Sequence, residues 1–221
     1  YLLEGTVQRA NNHVRVTAQL SRGATGERVL TLNFDRGLTD IFAIQAELAQ
    51  AIAAELRATL SPREKALIER KPTTNPLAYD LFLQSRSWFQ GDVRDPYPRS
   101  ITLLRSAVER DPNFANAWCE LSSLYAFEYR YAEETPAQLE LAKTALSHAA
   151  KLDPDSPEYL HALASYLYRG LLDYPQASEQ YAKLERLMPN DASAWHDYGS
   201  LLRRLHRTAE SITSFERAVE L

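Results

Sequence analysis

The chain has 221 residues, 45% apolar and 24% charged, the composition of an ordinary soluble globular protein long enough to bury a real core. A net charge of -4 with no block of like charge gives no ground for nucleic acid or a membrane surface as partner. One cysteine, Cys119, excludes an internal disulfide framework, and no apolar run approaches the roughly 20 residues that cross a bilayer.

The first third alternates. In HVRVTAQLS, Val14, Val16, Ala18 and Leu20 share one side and Arg15, Thr17 and Gln19 the other, the period of a half-buried strand. LLEGTVQRA before it and RVLTLNF after it follow the same pattern. Asn11-Asn12 is a tight-turn pair and RGATGE a Gly-bearing loop, so the three strands form an antiparallel meander. Gly23 and Gly26 lack the following Lys-Ser/Thr of a phosphate loop and lead into a strand, which makes them turn residues.

The period then changes to that of a helix. From Asp40 to Leu60, Ile44, Leu48, Ile52, Leu56 and Leu60 recur every fourth position, with Ile41 and Phe42 opening the stripe and Thr39 or Asp40 as cap. Ser61, Pro62 and Glu64 form a capping box for a short second helix ending near Arg70. Lys71-Pro72 stops it, and PTTNP marks a boundary between an α+β layer over residues 1–71 and a second domain over 72–221. Three strands and one long helix bury little alone, so the layer is expected to be incomplete. The chain opens on Tyr1 within a strand and stops in mid-pattern at Leu221, as an excised piece would. The single cysteine leaves the compartment, cytoplasm or periplasm, open.

Beyond the boundary one outline returns three times: RDPNFANAW from Arg110, LDPDSPEYL from Leu152 and LMPNDASAW from Leu187. Six residues past the prolines stand Trp118, Leu160 and Trp195, and four further on the small residues Ser122, Ala164 and Gly199. Ala107 and Ala149 lie five before Pro112 and Pro154. Pro112 to Pro154 spans 42 residues, the surplus lying in EYRYAEETPAQ near 128–138, whereas Pro154 to Pro189 spans 35.

This spacing resembles the tetratricopeptide repeat, a 34-residue helical hairpin. Unit two (113–154) carries Trp118, Leu121, Ser122, Tyr125, Ala142, Leu146, Ala149 and Pro154. Unit three (155–189) carries Leu160, Leu163, Ala164, Leu167, Ala177, Tyr181 and Pro189, with Leu184 at a usually small position. Unit four (190–221) carries Trp195, Gly199, Phe215 and Ala218, with Tyr198 where Leu is usual. Unit one (75–112) is the least regular and its first-helix register is ambiguous. The resemblance implies a mainly α fold, about four hairpins stacked into a superhelix with a concave groove, preceded by the small α+β layer.

The amino-terminal third is similar to the latter half of the TolB-like amino-terminal domain of bacterial sensory proteins. Leu3-Glu4-Gly5, Val14 to Leu20 and Asp40 to Ala43 match that family's elements in order, and its first half has no counterpart here. The resemblance implies a module attached to an output domain: a class III adenylate cyclase, a winged-helix regulator or a Ser/Thr kinase.

No residue pattern points to catalysis, and neither a cofactor nor a metal site is expected, because no His-x3-His, His-Glu-x2-His or Cys-x2-Cys spacing occurs. Cys119 has no basic partner nearby and is an inert small residue; Glu133-Glu134 are loop acids. The repeat resemblance maps the groove to Asn116, Cys119, Glu120, Ser123, Ala126 and Phe127 in unit two. Unit three contributes Glu158, His161, Ala162, Ser165, Tyr168 and Arg169, and unit four Ser193, His196, Asp197, Ser200, Arg203 and Arg204. The Lys/Asn carboxylate clamp of some such repeats is absent. Tyr168, Arg169, Arg203 and Arg204, flanked by His161 and His196, either receive an acidic or carboxylate-bearing peptide or form a solvated surface whose arginines pair with local acids such as Asp197. The expected role is thus a protein-interaction and regulatory module, open to self-association; the alternative is a regulatory fragment of a cyclase or kinase whose catalytic domain lies elsewhere.

Overall fold

The computed structural model describes residues 1–11, 13–57, 62–87, 97–132 and 135–221. Several expectations fall outside these: Asn12, Leu60, Ser61, the Glu64 side chain and the loop acids Glu133 and Glu134. The chain divides into two compact units, Tyr1–Pro76 and Leu77–Leu221.

In the first unit, β1 (Leu2–Ala10), β2 (His13–Ser21) and β3 (Arg28–Gly37) form an antiparallel sheet in that order. Val7 lies opposite Val16 and Val16 opposite Phe34, so the alternation in β2 places Val14, Val16, Ala18 and Leu20 on one buried face. Asn11, at φ 55, enters the first turn. Gly26, at φ +69 with open space around a would-be Cβ, is required by its backbone angle, and the Gly23–Gly26 segment is a turn closed by Gly26 N–H to Arg22 O at 2.8 Å.

A 3₁₀ turn, Leu38–Asp40, leads into α1 (Ile41–Glu55), which is shorter than the helix to Leu60 that the apolar stripe suggests. Phe42 and Ile44 are buried, and Ile44 joins Val14, Val16 and Phe34 in the core. The stripe loses its packing further on: Leu56 is exposed, and Arg57 turns into the left-handed region at φ 53. Alanine-rich propensity alone does not sustain a helix once burial ends. Asp40 is the N-cap by position but accepts no side-chain bond. A two-pronged ion pair, Arg36 Nη1 to Glu47 Oε1 at 2.6 Å and Nη2 to Oε2 at 2.9 Å, ties β3 to α1. Helix α2 (Pro62–Glu69) starts on its proline.

The second unit is a run of helical hairpins: α3 (Pro76–Ser87) with α4 (Tyr97–Arg110), α5 (Ala115–Tyr131) with α6 (Pro136–Leu152), α7 (Pro157–Ser165) with α8 (Tyr174–Leu187), and α9 (Ala192–Arg204) with α10 (Thr208–Glu220). The starts follow from the sequence. Thr135, Ser156 and Asp173 cap helices that open on or next to a proline, each accepting a backbone N–H three residues on. Asp191 accepts from Ser193 and Ala194.

Each hairpin closes on a pair of small residues: Ser85 with Ser100, Ser122 with Ala142, Ala164 with Ala177, and Gly199 with Ser211, all buried. In three of these pairs a serine hydroxyl donates across the hairpin to a carbonyl, Ser100 to Ser85 at 2.8 Å, Ser122 to Ala142 at 2.9 Å and Ser211 to Gly199 at 2.7 Å. The bond requires the helix backbones to approach closely, which only small side chains allow. The Ser85–Ser100 bond also fixes the first-helix register of unit one. At Gly199 a Cβ would meet the Phe215 ring at 3.0 Å, so that ring fills the space the glycine leaves.

The remaining repeat-packing positions fall on the same interior. Leu121, Tyr125, Ala149 and Tyr181 are buried, while Leu163, Phe215 and Ala218 are half-buried. Trp118 and Trp195 are half-buried too, and each indole N–H donates to the carbonyl of the proline six residues before it, Pro112 at 2.9 Å and Pro189 at 3.0 Å. The tryptophans therefore tie these two seams to the helices that follow. Trp118 also stacks on His148 of α6, ring centres 4.3 Å apart.

The surplus in unit two lengthens its helices. α5 continues to Tyr131 and α6 begins at Pro136, so most of EYRYAEETPAQ is helical. Glu128 on α5 accepts from Gln138 on α6, closing the extended end.

Candidate functional site

The first helices of the last three hairpins carry the mapped groove residues, and the structure grades their exposure. Cys119 and Ala126 on α5 are buried, as are Ala162, Ser165 and Tyr168 in unit three. Asn116, Glu120, Ser123, Phe127, Glu158, His161, Asp197 and Ser200 are half-buried, and only Ser193, His196, Arg203 and Arg204, all on α9, are exposed.

Unit three departs from a plain hairpin. Helix α7 passes into a π-helical turn, Tyr166–Leu171, ended by Leu172 at φ 54 and by Asp173 N–H to Leu167 O at 2.9 Å. Ala164 and Ala177 are separated by one residue more than Gly199 and Ser211, and the π turn absorbs that residue. Tyr168 and Arg169 stand on this turn.

Arg169 is not a free cation. Its Nη2 donates to Asp197 Oδ1 on α9 at 2.9 Å and its Nη1 to Ser165 Oγ at 2.7 Å. Its side chain is 12% exposed and that of Asp197 15%. The guanidinium lies 5.4 Å from the Tyr168 ring centre and 5.7 Å from that of Phe127 on α5. His161 Nε2 meets Asp197 Oδ2 at 3.2 Å, and His196 Nδ1 lies 3.6 Å from Oδ1. The expected cluster of Tyr168, Arg169, Arg203 and Arg204 with two flanking histidines is thus divided. Arg169, His161 and His196 surround one carboxylate, and Arg203 and Arg204 stand outside it.

The electrostatics follow from burial. Burial alone would push the Asp197 carboxyl up, but the hydrogen bond to His161, the nearby His196 ring and the charge of Arg169 outweigh it and hold the group well below the usual range. His196 is raised, first by its approach to the Asp197 carboxylate. Beneath them Tyr181 is fully buried, stacked on Tyr198 with ring centres 5.8 Å apart, and burial pushes its hydroxyl well above the usual value. That hydroxyl lies in the field of Arg169 and Asp197 without hydrogen-bond geometry to either, and Arg169 Nε is likewise sequestered and unpaired. A second inter-unit link, Asn116 Nδ2 to Glu158 Oε1 at 3.1 Å, joins α5 to α7. The face is therefore a ladder of polar contacts between units, with its open charge at the carboxy-terminal end of α9.

Sequence reasoning mapped Phe127 to this face but found neither its ring partners nor Tyr131. Phe127 stacks on Tyr97 of α4 with ring centres 4.5 Å apart, and Tyr131 lies 4.6 Å from Phe127 on the extended end of α5. The signal for Tyr131 was the 42-residue unit, whose surplus begins one residue after Phe127 and extends α5 to Tyr131.

Among the described residues no group of three or more His, Cys, Asp and Glu side chains is arranged to hold a metal ion, and no helix is long and apolar enough to cross a membrane.

The chain is 34% identical over 166 residues to a protein of Rhizobium meliloti (strain 1021) named "Putative adenylate cyclase 3". The match takes in 74% of this chain and 28% of that relative, so the chain spans little more than a quarter of its length. Among solved structures it is similar to MamA 41-end from Desulfovibrio magneticus RS-1, at 16% identity and a TM-score of 0.44 over 83% of this chain and 94% of that one. The MamA RS-1 ArsTM double mutant gives 16% identity and a TM-score of 0.43 over 80% and 93%. Residues 192–221, the hairpin of α9 and α10, match the model of the tetratricopeptide repeat family, so this part of the chain is a tetratricopeptide repeat.

Proposed function

We propose that the chain is a protein–protein interaction and regulatory module of a larger bacterial signalling protein, acting without chemistry of its own. Its repeat face receives an acidic or carboxylate-bearing peptide segment. The observation that carries this reading is the placement of charge. Asp197 neutralises Arg169 and fixes α7 to α9, while Arg203 and Arg204 in the last turn of α9 are exposed and form no salt bridge among the described residues. A rigid face with open guanidinium groups at one edge suits a carboxylate. The test is capture of partner protein by the chain and by its Arg203→Ala/Arg204→Ala form. Loss of capture supports the reading, and unchanged capture overturns it.

The amino-terminal unit is assigned to the TolB-like class on Leu3-Glu4-Gly5, Val14 to Leu20 and Asp40 to Ala43, and would pass the binding event to an output domain. A second reading is favoured by the similarity to the cyclase-named relative: the segment regulates a class III adenylate cyclase whose catalytic part lies outside it. Among the outputs expected from the sequence, a kinase has no comparable support. Cyclic AMP production by the intact parent protein, with and without the Arg203→Ala/Arg204→Ala change, tests this link. An unaltered rate in the presence of a captured partner would remove it.

A further inference from the structure

In a stacked repeat each hairpin meets only its neighbours, so stability is the sum of the units and of the seams between adjacent ones. Arg169 adds a link of longer reach. From the π turn of unit three its Nη2 donates to Asp197 Oδ1 on α9 of unit four at 2.9 Å, and its Nη1 donates to Ser165 Oγ on its own α7 at 2.7 Å. The same guanidinium stands over the Phe127 ring on α5 of unit two, 5.7 Å from its centre. Phe127 stacks in turn on Tyr97 of α4, so the run of contacts reaches unit one. One planar group thus touches three successive units.

Its chemistry and its burial make these contacts depend on one another. A guanidinium donates in its own plane while offering its face to a ring, a combination that an ammonium cannot match. The side chain is 12% exposed and that of Asp197 15%, so neither group is readily solvated when the other leaves. The turn that carries Arg169 is held from the other side as well. A Cβ on Gly170 would meet Leu139 Cδ1 of α6 at 2.8 Å and the Tyr166 ring at 3.3 Å, which puts the backbone of the turn close against unit two. If α9 moves, Arg169 must either follow Asp197 and leave Phe127, or stay and strand the carboxylate.

We propose that Arg169 is a coupling residue that makes units two, three and four one cooperative body, so that a change at Asp197 on α9 is felt at Phe127 on α5. The coupling does not depend on the groove reading. Joined to it, the coupling carries the effect of a ligand at the open arginines of α9 to the face of unit two.

The test is hydrogen exchange of the full chain read by mass spectrometry, comparing Asp197→Asn, Arg169→Lys and Gly199→Ala with the unmodified protein. Asp197→Asn is expected to speed exchange of the α5 amides around Phe127 by about 5- to 10-fold, the lower range of coupling between distinct sites. Arg169→Lys keeps a cation opposite Asp197 but loses the fork and the flat face, so it should speed α5 by a similar factor, and adding Asp197→Asn to it should change α5 no further. Gly199→Ala is the control for lost stability: its Cβ presses on the Phe215 ring of α10 and touches none of the Arg169 contacts, so it should speed α9 and α10 and leave α5 unchanged. Unchanged α5 protection in Asp197→Asn, with α7 and α9 exchanging faster, would overturn the proposal, because stability would then pass only between adjacent units. Equal loosening of α5 by Gly199→Ala would also overturn it, since α5 would follow unit four by any route. Should Asp197→Asn fail to fold, Arg169→Lys decides alone, and α5 protected as in the unmodified chain counts against the coupling.

Discussion

Arg169 on the π turn of α7 and Asp197 on α9 are joined at 2.9 Å with both side chains almost out of solvent. Such a pair contributes little net stability relative to an apolar replacement, but removing one member strands the other. Asp197→Asn is therefore expected to lower unfolding free energy by about 3–5 kcal/mol, and Arg169→Met by a similar amount, in urea denaturation. The double change Arg169→Met/Asp197→Leu should recover most of the loss. A coupling below about 1 kcal/mol in the double-mutant cycle would mean that the two charges are solvated and do not hold α7 to α9.

The same site sets a pH dependence. The Asp197 carboxyl is depressed, so its contribution is present above its unfolded value of 3.8 and is lost as pH falls below it. His196 is raised, so its contribution is complete below 6.5 and is lost as pH rises through its folded value. Burial pushes the Glu185 carboxyl up to about 7, which favours its neutral form and costs stability as pH rises from 4.5 through about 7. These three groups together place their greatest contribution near pH 4–5, about two units below neutrality. Urea midpoints measured from pH 3 to 9 should show this acid-side optimum, and Glu185→Gln should flatten the fall between about pH 4.5 and 7. An optimum above pH 7 in the unmodified chain would contradict the assignment.

The meander and the repeat seams were legible because each is written locally. Val14 to Leu20 alternate, and Pro112, Pro154 and Pro189 each stand six residues before Trp118, Leu160 and Trp195. The end of α1 was not, because Leu56 continues the apolar stripe in sequence but is exposed, and the backbone turns left-handed at Arg57. At the candidate site, the sequence offered two arrangements, open arginines or arginines paired with acids such as Asp197, and Arg169 follows the second while Arg203 and Arg204 form no salt bridge among the described residues. One acid, Asp197, serves Arg169 and two histidines, and no spacing rule distinguishes a nearly buried arginine from the exposed ones at the matching place one repeat on. The π turn had left a trace, since the 35-residue spacing from Pro154 to Pro189 exceeds the repeat by one residue. The spacing shows that a residue is extra; only the backbone shows that it lies beside Arg169.

The serine pins test how closely the paired helices must approach. Ser122 is fully buried and donates to the Ala142 carbonyl at 2.9 Å, an acceptor also engaged in its own helix. Ser122→Ala should cost about 1 kcal/mol, because one neutral hydrogen bond is lost and no group is stranded. Ser122→Leu, which forces α5 and α6 apart, should cost about 2–3 kcal/mol. Urea midpoints at constant m-value distinguish the two, and equal effects would show that the hairpin apex is loosely packed.

The tryptophan seams make a prediction that separates ring packing from hydrogen bonding. Trp195 donates to Pro189 O at 3.0 Å and Trp118 to Pro112 O at 2.9 Å, both at partly solvated positions where water can replace the indole N–H. Trp195→Phe and Trp118→Phe keep an aromatic ring and lose the donor, so each should cost about 0.5–1 kcal/mol, or about 2 °C in Tm. Trp118→Ala also removes the stack on His148 and should cost about 2–3 kcal/mol. The two phenylalanine changes lie in different seams with no shared partner, so their effects should add within about 0.5 kcal/mol. If the phenylalanine and alanine forms melt together, the indole N–H rather than the ring holds the seam, and the packing role given to Trp118 fails.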